Sequence, residues 1–135
     1  MLAPGRKPFH TLNSALVKLA DGRTMVYGNL GGDGQPQSQA AVFSRYAMFG
    51  QDLQQAVSAP RWSPGRTWGD VSGSLKLESR FAPGLTGALR DAGHDVEMIE
   101  EFIDLVGHTG ALVRHSDGVT AGAADHRSDG VVAGS

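Results

Sequence analysis

Cysteine is absent from this chain of 135 residues. That excludes a disulfide framework, a cysteine nucleophile and a thiolate-held metal, and it leaves the redox compartment open. An excess of charge of one sign is missing too: 12 Lys and Arg stand against 14 Asp and Glu, a net charge of −2. No run of Lys or Arg is present to track a phosphate backbone, so nucleic acid is not an expected partner. No apolar run approaches the roughly 20 residues that cross a bilayer, and no membrane partner is expected. Met1-Leu2-Ala3-Pro4 is too short and too uncharged for a signal peptide, so any targeting segment belongs to sequence outside this chain.

Several common chemical signatures are missing as well. There is neither the Gly-x-Gly-x-x-Gly of a dinucleotide site nor a glycine loop ending in Gly-Lys-Ser/Thr, and no Gly-x-Ser-x-Gly elbow. The five histidines, His10, His94, His108, His115 and His126, fall on different segments without an i,i+4 pair, so no metal and no cofactor is expected. Glu100-Glu101 with Asp104 reads as a solvated acidic face.

Glycine, in contrast, is abundant, and it concentrates in Gly28-Asn29-Leu30-Gly31-Gly32-Asp33-Gly34. This turn follows an apolar segment and precedes a helix opened by Pro36. Backbone free of Cβ atoms can take positive φ and let adjacent amides converge on one anion, which makes the turn a candidate oxyanion or phosphate cradle. A strand-to-helix turn that needs only flexible backbone is the alternative reading.

The remaining patterns alternate strands and helices without an internal repeat, and the length fits one domain over residues 1–135. Asn13 to Ala20 and Arg23 to Tyr27 flank Asp21-Gly22 and predict a hairpin with a tight two-residue turn. Pro36 to Phe49 predicts a helix with Ala40, Phe43, Tyr46 and Ala47 on its buried face and Gly50 at its C′ position. Asp52 with Gln55 predicts the capped start of a short helix through Ser58, ended by Pro60. Arg61 to Gly73 reads as a surface loop pinned by Trp62 and Trp68. Ser74 to Glu78 alternates as a strand does. Pro83 to Ala92 predicts a helix burying Leu85, Ala88 and Leu89 and closed by Gly93, and Asp95 to Ile99 a further strand. Gly110 to Arg114 and Val119 to Ala123, joined through Ser116-Asp117-Gly118, predict a second hairpin. The last residues fray.

Three segments in order carry a resemblance: Pro4-Gly5-Arg6-Lys7-Pro8-Phe9-His10-Thr11, the Gly31-Gly32 turn, and Gly122-Ala123-Ala124-Asp125-His126-Arg127. Gly50-Gln51-Asp52-Leu53-Gln54-Gln55-Ala56-Val57 and Ala59-Pro60-Arg61-Trp62 support it. The chain resembles the C-terminal part of the small subunit of the gamma-glutamyltransferase-like enzymes, N-terminal-nucleophile hydrolases that include cephalosporin acylases. The resemblance implies an α/β (α+β) fold, a mainly antiparallel sheet flanked by helices, as part of a four-layer αββα sandwich.

In that family an N-terminal threonine attacks a γ-glutamyl or acyl amide, with its own α-amine as general base. The consecutive glycines match Gly31 and Gly32, whose amides would hold the oxyanion next to a helix N-terminus. The paired hydroxyls match His10 and Thr11, beside the site for the substrate's α-carboxylate. Asp125 and Arg127 match a structural ion-pair motif, with His126 in place of its proline. The threonine nucleophile is expected upstream of Pro4, outside this chain. The chain is then expected to be inactive alone and to need the remainder of its precursor, the large subunit and the N-terminal part of the small subunit, with homo-oligomers also open. Two other classes stay open: a non-catalytic carboxylate- or phosphate-binding module, and a purely structural remnant.

Overall fold

Residues 3–65 and 71–134 are described by the structure, a computed structural model. Trp68, one of the two expected loop anchors, lies outside the described residues.

Two Asp-Gly pairs shape the larger sheet. β1 (Ala15–Lys18) and β2 (Thr24–Leu30) pair antiparallel with Leu16 opposite Val26. The turn between them is a three-residue loop rather than the expected two-residue one. Leu19 N–H donates to Arg23 O at 2.8 Å, and Gly22 takes φ +88°, the left-handed residue that such loops require. β6 (His108–Arg114) and β7 (Thr120–Ala124) are joined in the same way through Ser116-Asp117-Gly118, with His115 N–H on Val119 O and Gly118 at φ +92°. The four strands order as β1-β2-β6-β7, all antiparallel.

β2 runs three residues past its expected end. Gly28, Asn29 and Leu30 pair with Gly110, Thr109 and His108, so the ladder absorbs the first half of the glycine turn and only Gly31 to Gly34 remain to turn the chain. A 3₁₀ turn over Gly32–Gly34 feeds directly into α1 (Gln35–Phe43), with Pro36 in its first turn. The helical path continues as a π turn over Ser44–Met48, and Gly50 ends it at φ +66°, as its position predicts.

The buried face of this helical stretch differs from the expected one. Ser38, Gln39, Val42 and Tyr46 point inward, Ala40 is exposed, and Phe43 and Ala47 are half-buried. Two polar residues stand inside because each has a specific carbonyl to meet: Ser38 Oγ donates to Val106 O at 3.3 Å and Gln39 Nε2 to Asn13 O at 2.5 Å. α2 (Leu53–Ser58) starts as predicted, with the Asp52 carboxylate accepting from the amides of Gln54 and Gln55. The core lies between α1, α2 and one face of the sheet: Met25, Val42, Leu53, Ala56, Val57, Val113 and Ala123.

A smaller sheet occupies part of the expected loop. β3 (Trp62–Pro64) pairs antiparallel with β4 (Leu75–Glu78), and β5 (Val96–Ile99) joins β4 in parallel after α3 (Pro83–Asp91) crosses between them. β4 does not alternate: Lys76, Leu77 and Glu78 are all buried. On α3 the buried residue is Thr86, while Leu85 and Ala88 are exposed and Leu89 is half-buried. The fold is therefore α+β and mainly antiparallel, with a single parallel pair among the described residues.

Helices α1 and α2 cover only one face of the four-stranded sheet. On the other face Leu16, Val26 and Leu112 line up across three strands at 67%, 43% and 51% exposure. Gly28, Gly110 and Gly122 stand on that same face; Val132 of the C-terminal segment packs over Gly122, and the remainder is flat enough for a second sheet to pack against. The chain on its own is expected to associate and to bind a hydrophobic dye through this face. Sedimentation velocity should show species above monomer, and Val26→Lys with Leu112→Glu should return the chain to monomer without loss of circular dichroism.

Candidate active site

The glycine turn spends its carbonyls and keeps its amides. Gly31 O accepts from Gly34 N–H at 2.9 Å, and Gly32 O accepts from Gln35 N–H. No hydrogen bond reaches the amides of Gly31 or Gly32 among the described residues. Gly32 is exposed at φ +52°, while Gly31 is buried behind it. These two amides begin a helical stretch, where the backbone dipole favours negative charge.

The glutamines of α1 tie a second segment to this turn. Gln35 Nε2 donates to Thr11 O at 3.3 Å and Gln39 Nε2 to Asn13 O. His10 and Thr11 thereby border an open groove of about 490 Å³ shared with Gly32 and Asp33. The structure thus brings all four sequence-predicted site residues, His10, Thr11, Gly31 and Gly32, into one neighbourhood, with both His10 and Thr11 exposed to solvent.

Behind the turn lies a buried charge cluster, of which the sequence announced only the Asp125–Arg127 ion pair. Arg61, 1% exposed, forms an ion pair with Asp125, and Arg127 bridges Asp125 Oδ1 at 2.9 Å and Glu78 Oε1 at 2.8 Å. Arg80 reaches Glu78 from the other side at 3.0 Å. Asp125 also accepts from the Thr109 amide at 2.8 Å and from the Arg127 amide at 3.1 Å. That last bond closes an Asx turn over His126. His126, at the proline's position, faces solvent with its ring edge-on to Phe102.

Four arginines against two carboxylates leaves an excess of positive charge, and the end of α2 accounts for it. Four consecutive carbonyls each take a different arginine: Val57 O from Arg61 at 3.2 Å, Ser58 O from Arg80 at 2.8 Å, Ala59 O from Arg127 at 3.3 Å and Pro60 O from Arg45 at 2.6 Å. These lie at the helix end where carbonyls go unpaired and the macrodipole is negative. Burial, then repulsion from Arg127, pulls Arg61 down to about 9 against the attraction of Glu78, so it remains charged at neutral pH. Glu78 experiences the reverse. Burial pushes its carboxyl up, but the Arg127 hydrogen bond, the Arg61 amide and the charges of Arg127 and Arg80 hold it below its ordinary value.

Arg61, Glu78 and Arg80 were the residues missed by sequence reasoning. The available signal was Ala59-Pro60-Arg61-Trp62, which matches the family pattern yet reads locally as the start of a loop. Glu100, Glu101 and Asp104 are exposed, as expected of an acidic face. No cluster of three or more metal-ligating side chains occurs among the described residues, and no described helix is long and apolar enough to cross a membrane.

A sheet covered by helices on one face has solved counterparts. The transpeptidase enzyme CapD of Bacillus anthracis superposes with a TM-score of 0.79 at 22% identity, over 98% of this chain and 75% of that one. The class is that of the N-terminal-nucleophile hydrolases. The family model described as gamma-glutamyltranspeptidase matches residues 1–135, and the chain belongs to that family. It is 59% identical over 133 residues to the oxamate amidohydrolase proenzyme of Klebsiella pneumoniae and 40% identical to the glutathione hydrolase-like YwrD proenzyme of Bacillus subtilis. Each match covers 98% of this chain and spans 25% of the relative's length.

The charge cluster sets an acid limit on stability. A carboxylate depressed by folding contributes above its ordinary value, 4.5 for Glu78, and that contribution is lost as pH falls through the depressed value. Melting temperatures of the intact protein should drop below about pH 4.5, and Glu78→Gln should flatten that drop. At neutral pH the same substitution should cost about 3–5 kcal/mol, because it takes from Arg80 its carboxylate partner and from Arg127 one of its two.

Proposed function

We propose that the chain is the C-terminal portion of a gamma-glutamyltranspeptidase-family proenzyme that cleaves amides, and that it supplies the oxyanion hole and part of the substrate pocket. The observation that carries this reading is the pair of unpartnered amides at Gly31 and Gly32 beside the groove bordered by His10 and Thr11. In this reading the two amides stabilise the oxyanion formed when a threonine from the rest of the precursor attacks the amide carbon. That threonine's own α-amine takes the hydroxyl proton and passes it to the departing amine as the amide C–N bond breaks, and the acyl group then passes to water or to an amine acceptor. His10 and Thr11 bind a carboxylate on the acyl side, the imidazole and the hydroxyl each donating one hydrogen bond.

The name of the Klebsiella relative points to oxamate, an amide whose carbonyl carries a carboxylate on the adjacent carbon. Such a molecule suits an oxyanion cradle placed next to a carboxylate-binding pair, so small amides with a neighbouring carboxylate are the substrate class to test first, with γ-glutamyl amides second. A non-catalytic carboxylate-binding module is the competing reading, since the same amides would hold an anion without any attack.

The full-length, processed protein should release ammonia from oxamate or an aniline from a γ-glutamyl anilide, and residues 1–135 alone should release neither. Gly32→Ala places a Cβ on left-handed backbone, and Gly31→Ala places one 2.9 Å from Asn29 Nδ2. Each should lower kcat by about 10²–10³ with a smaller effect on KM. Unchanged kcat in both variants would remove the turn from the mechanism. Anion binding by calorimetry without turnover of either substrate would favour the competing reading.

A further inference from the structure

The residue that separates the buried arginines from the glycine turn is Asn29, on β2 and 8% exposed. Its Oδ1 accepts from Arg61 Nη1 at 3.1 Å and from Thr109 Oγ1 at 2.7 Å. A guanidinium can only donate, so the carboxamide has one possible orientation: turning it over would set two donors against each other. The NH₂ group is therefore forced toward the turn.

There it lies between two glycines. Nδ2 stands 2.9 Å from the position a Cβ would take on Gly31 and 2.8 Å from the corresponding position on Gly107. Any side chain at either residue would displace it. Arg61 holds the far wall as well, since its Nη1 donates to Gly107 O at 2.9 Å and Gly107 sits at φ +76°. Nδ2 is buried and has no hydrogen-bond partner among the described residues. An unmet buried donor of this kind is destabilising, so its retention calls for a compensating use.

We propose that Asn29 is a positioning residue for the oxyanion turn: Arg61 and Thr109 aim its NH₂ at Gly31, where the positive end of the carboxamide dipole adds to the field on the anion. This rests on the reading of Gly31 and Gly32 as the oxyanion hole. A fixed dipole beside a developing negative charge acts without reorganising during the reaction, which is why orientation imposed by a buried ion pair is effective there. The side chain need not touch substrate. It acts through the backbone of Gly31 and through the local potential.

The test is Asn29→Asp in the full-length, processed protein. The replacement keeps the shape and still accepts from Arg61 and Thr109, but it removes the NH₂ and puts negative charge beside the turn. The expected result is a fall in kcat of about tenfold or more with KM changed little and the melting temperature retained or raised. Wild-type kcat with a lowered melting temperature would mean a merely structural asparagine and would overturn the proposal. Should the wild-type protein turn over neither oxamate nor a γ-glutamyl anilide, the functional reading itself fails, and this proposal with it; wild-type turnover together with an unaffected Asn29→Asp variant sinks this proposal alone. If Asn29→Asp does not fold, melting curves of the pair Gly31→Ala and Asn29→Ala decide. A Cβ at Gly31 collides with the NH₂, so the double variant should melt no lower than Asn29→Ala alone, whereas a simple sum of the two losses would contradict the placement.

Discussion

The structure depends on the ion pair between Arg61 and Asp125, buried where α2 ends and β7 ends. Removing two charges from water is expensive, and such a pair persists only when its remaining donors and acceptors are met. Here most of them are met, with Arg61 Nε the exception. Arg61 meets Asn29, three carbonyls and Asp125, while Asp125 meets two amides and two arginines. The cluster's excess positive charge is placed against four successive carbonyls at the C-terminal end of α2, so a helix end that would otherwise need capping is closed by arginines from four different segments. One polar assembly thereby fixes α2, both sheets and the 3₁₀ turn at Asp104–Val106 relative to one another.

In the proposed reading of the glycine turn as an oxyanion hole, that assembly holds a flexible segment to the accuracy that charge stabilisation demands. Glycine gives the turn its unpartnered amides, among the described residues, but no side chains to lock it. The lock comes from behind, through Asn29, and from the front, where Gln35 and Gln39 hold the His10 segment in place. The inward polar face of α1 and the inward polar end of β2 are thus parts of one arrangement, in which burial of Ser38, Gln39 and Asn29 exchanges hydrophobic area for orientation.

Local chemistry was legible in the sequence wherever a single residue's backbone preference decides the outcome. Gly22, Gly50 and Gly118 sit at positive φ where their turns require it, and Asp52 caps α2 through its own amides. The motif resemblance led correctly to the family and brought His10, Thr11, Gly31 and Gly32 together. Periodicity failed where burial is polar. Lys76 and Glu78 read as the wet face of a strand, yet Glu78 is fully buried because Arg127, a residue 49 positions away, meets it. Arg61 read as the start of a loop because Asp125, 64 positions distant, is invisible to any local pattern. Ala40 read as core because apolar spacing cannot foresee that glutamines face inward to meet carbonyls.

The central claim, that the buried ion pair reaches the glycine turn through Asn29, is tested most directly by a double-mutant cycle. Asp125→Asn and Asn29→Ala should be made singly and together in the full-length protein, with stability measured by denaturant unfolding. The two residues share Arg61, so the account predicts an interaction energy of more than about 1 kcal/mol. Losses that add to within about 0.5 kcal/mol would show that the cluster and the turn are independent.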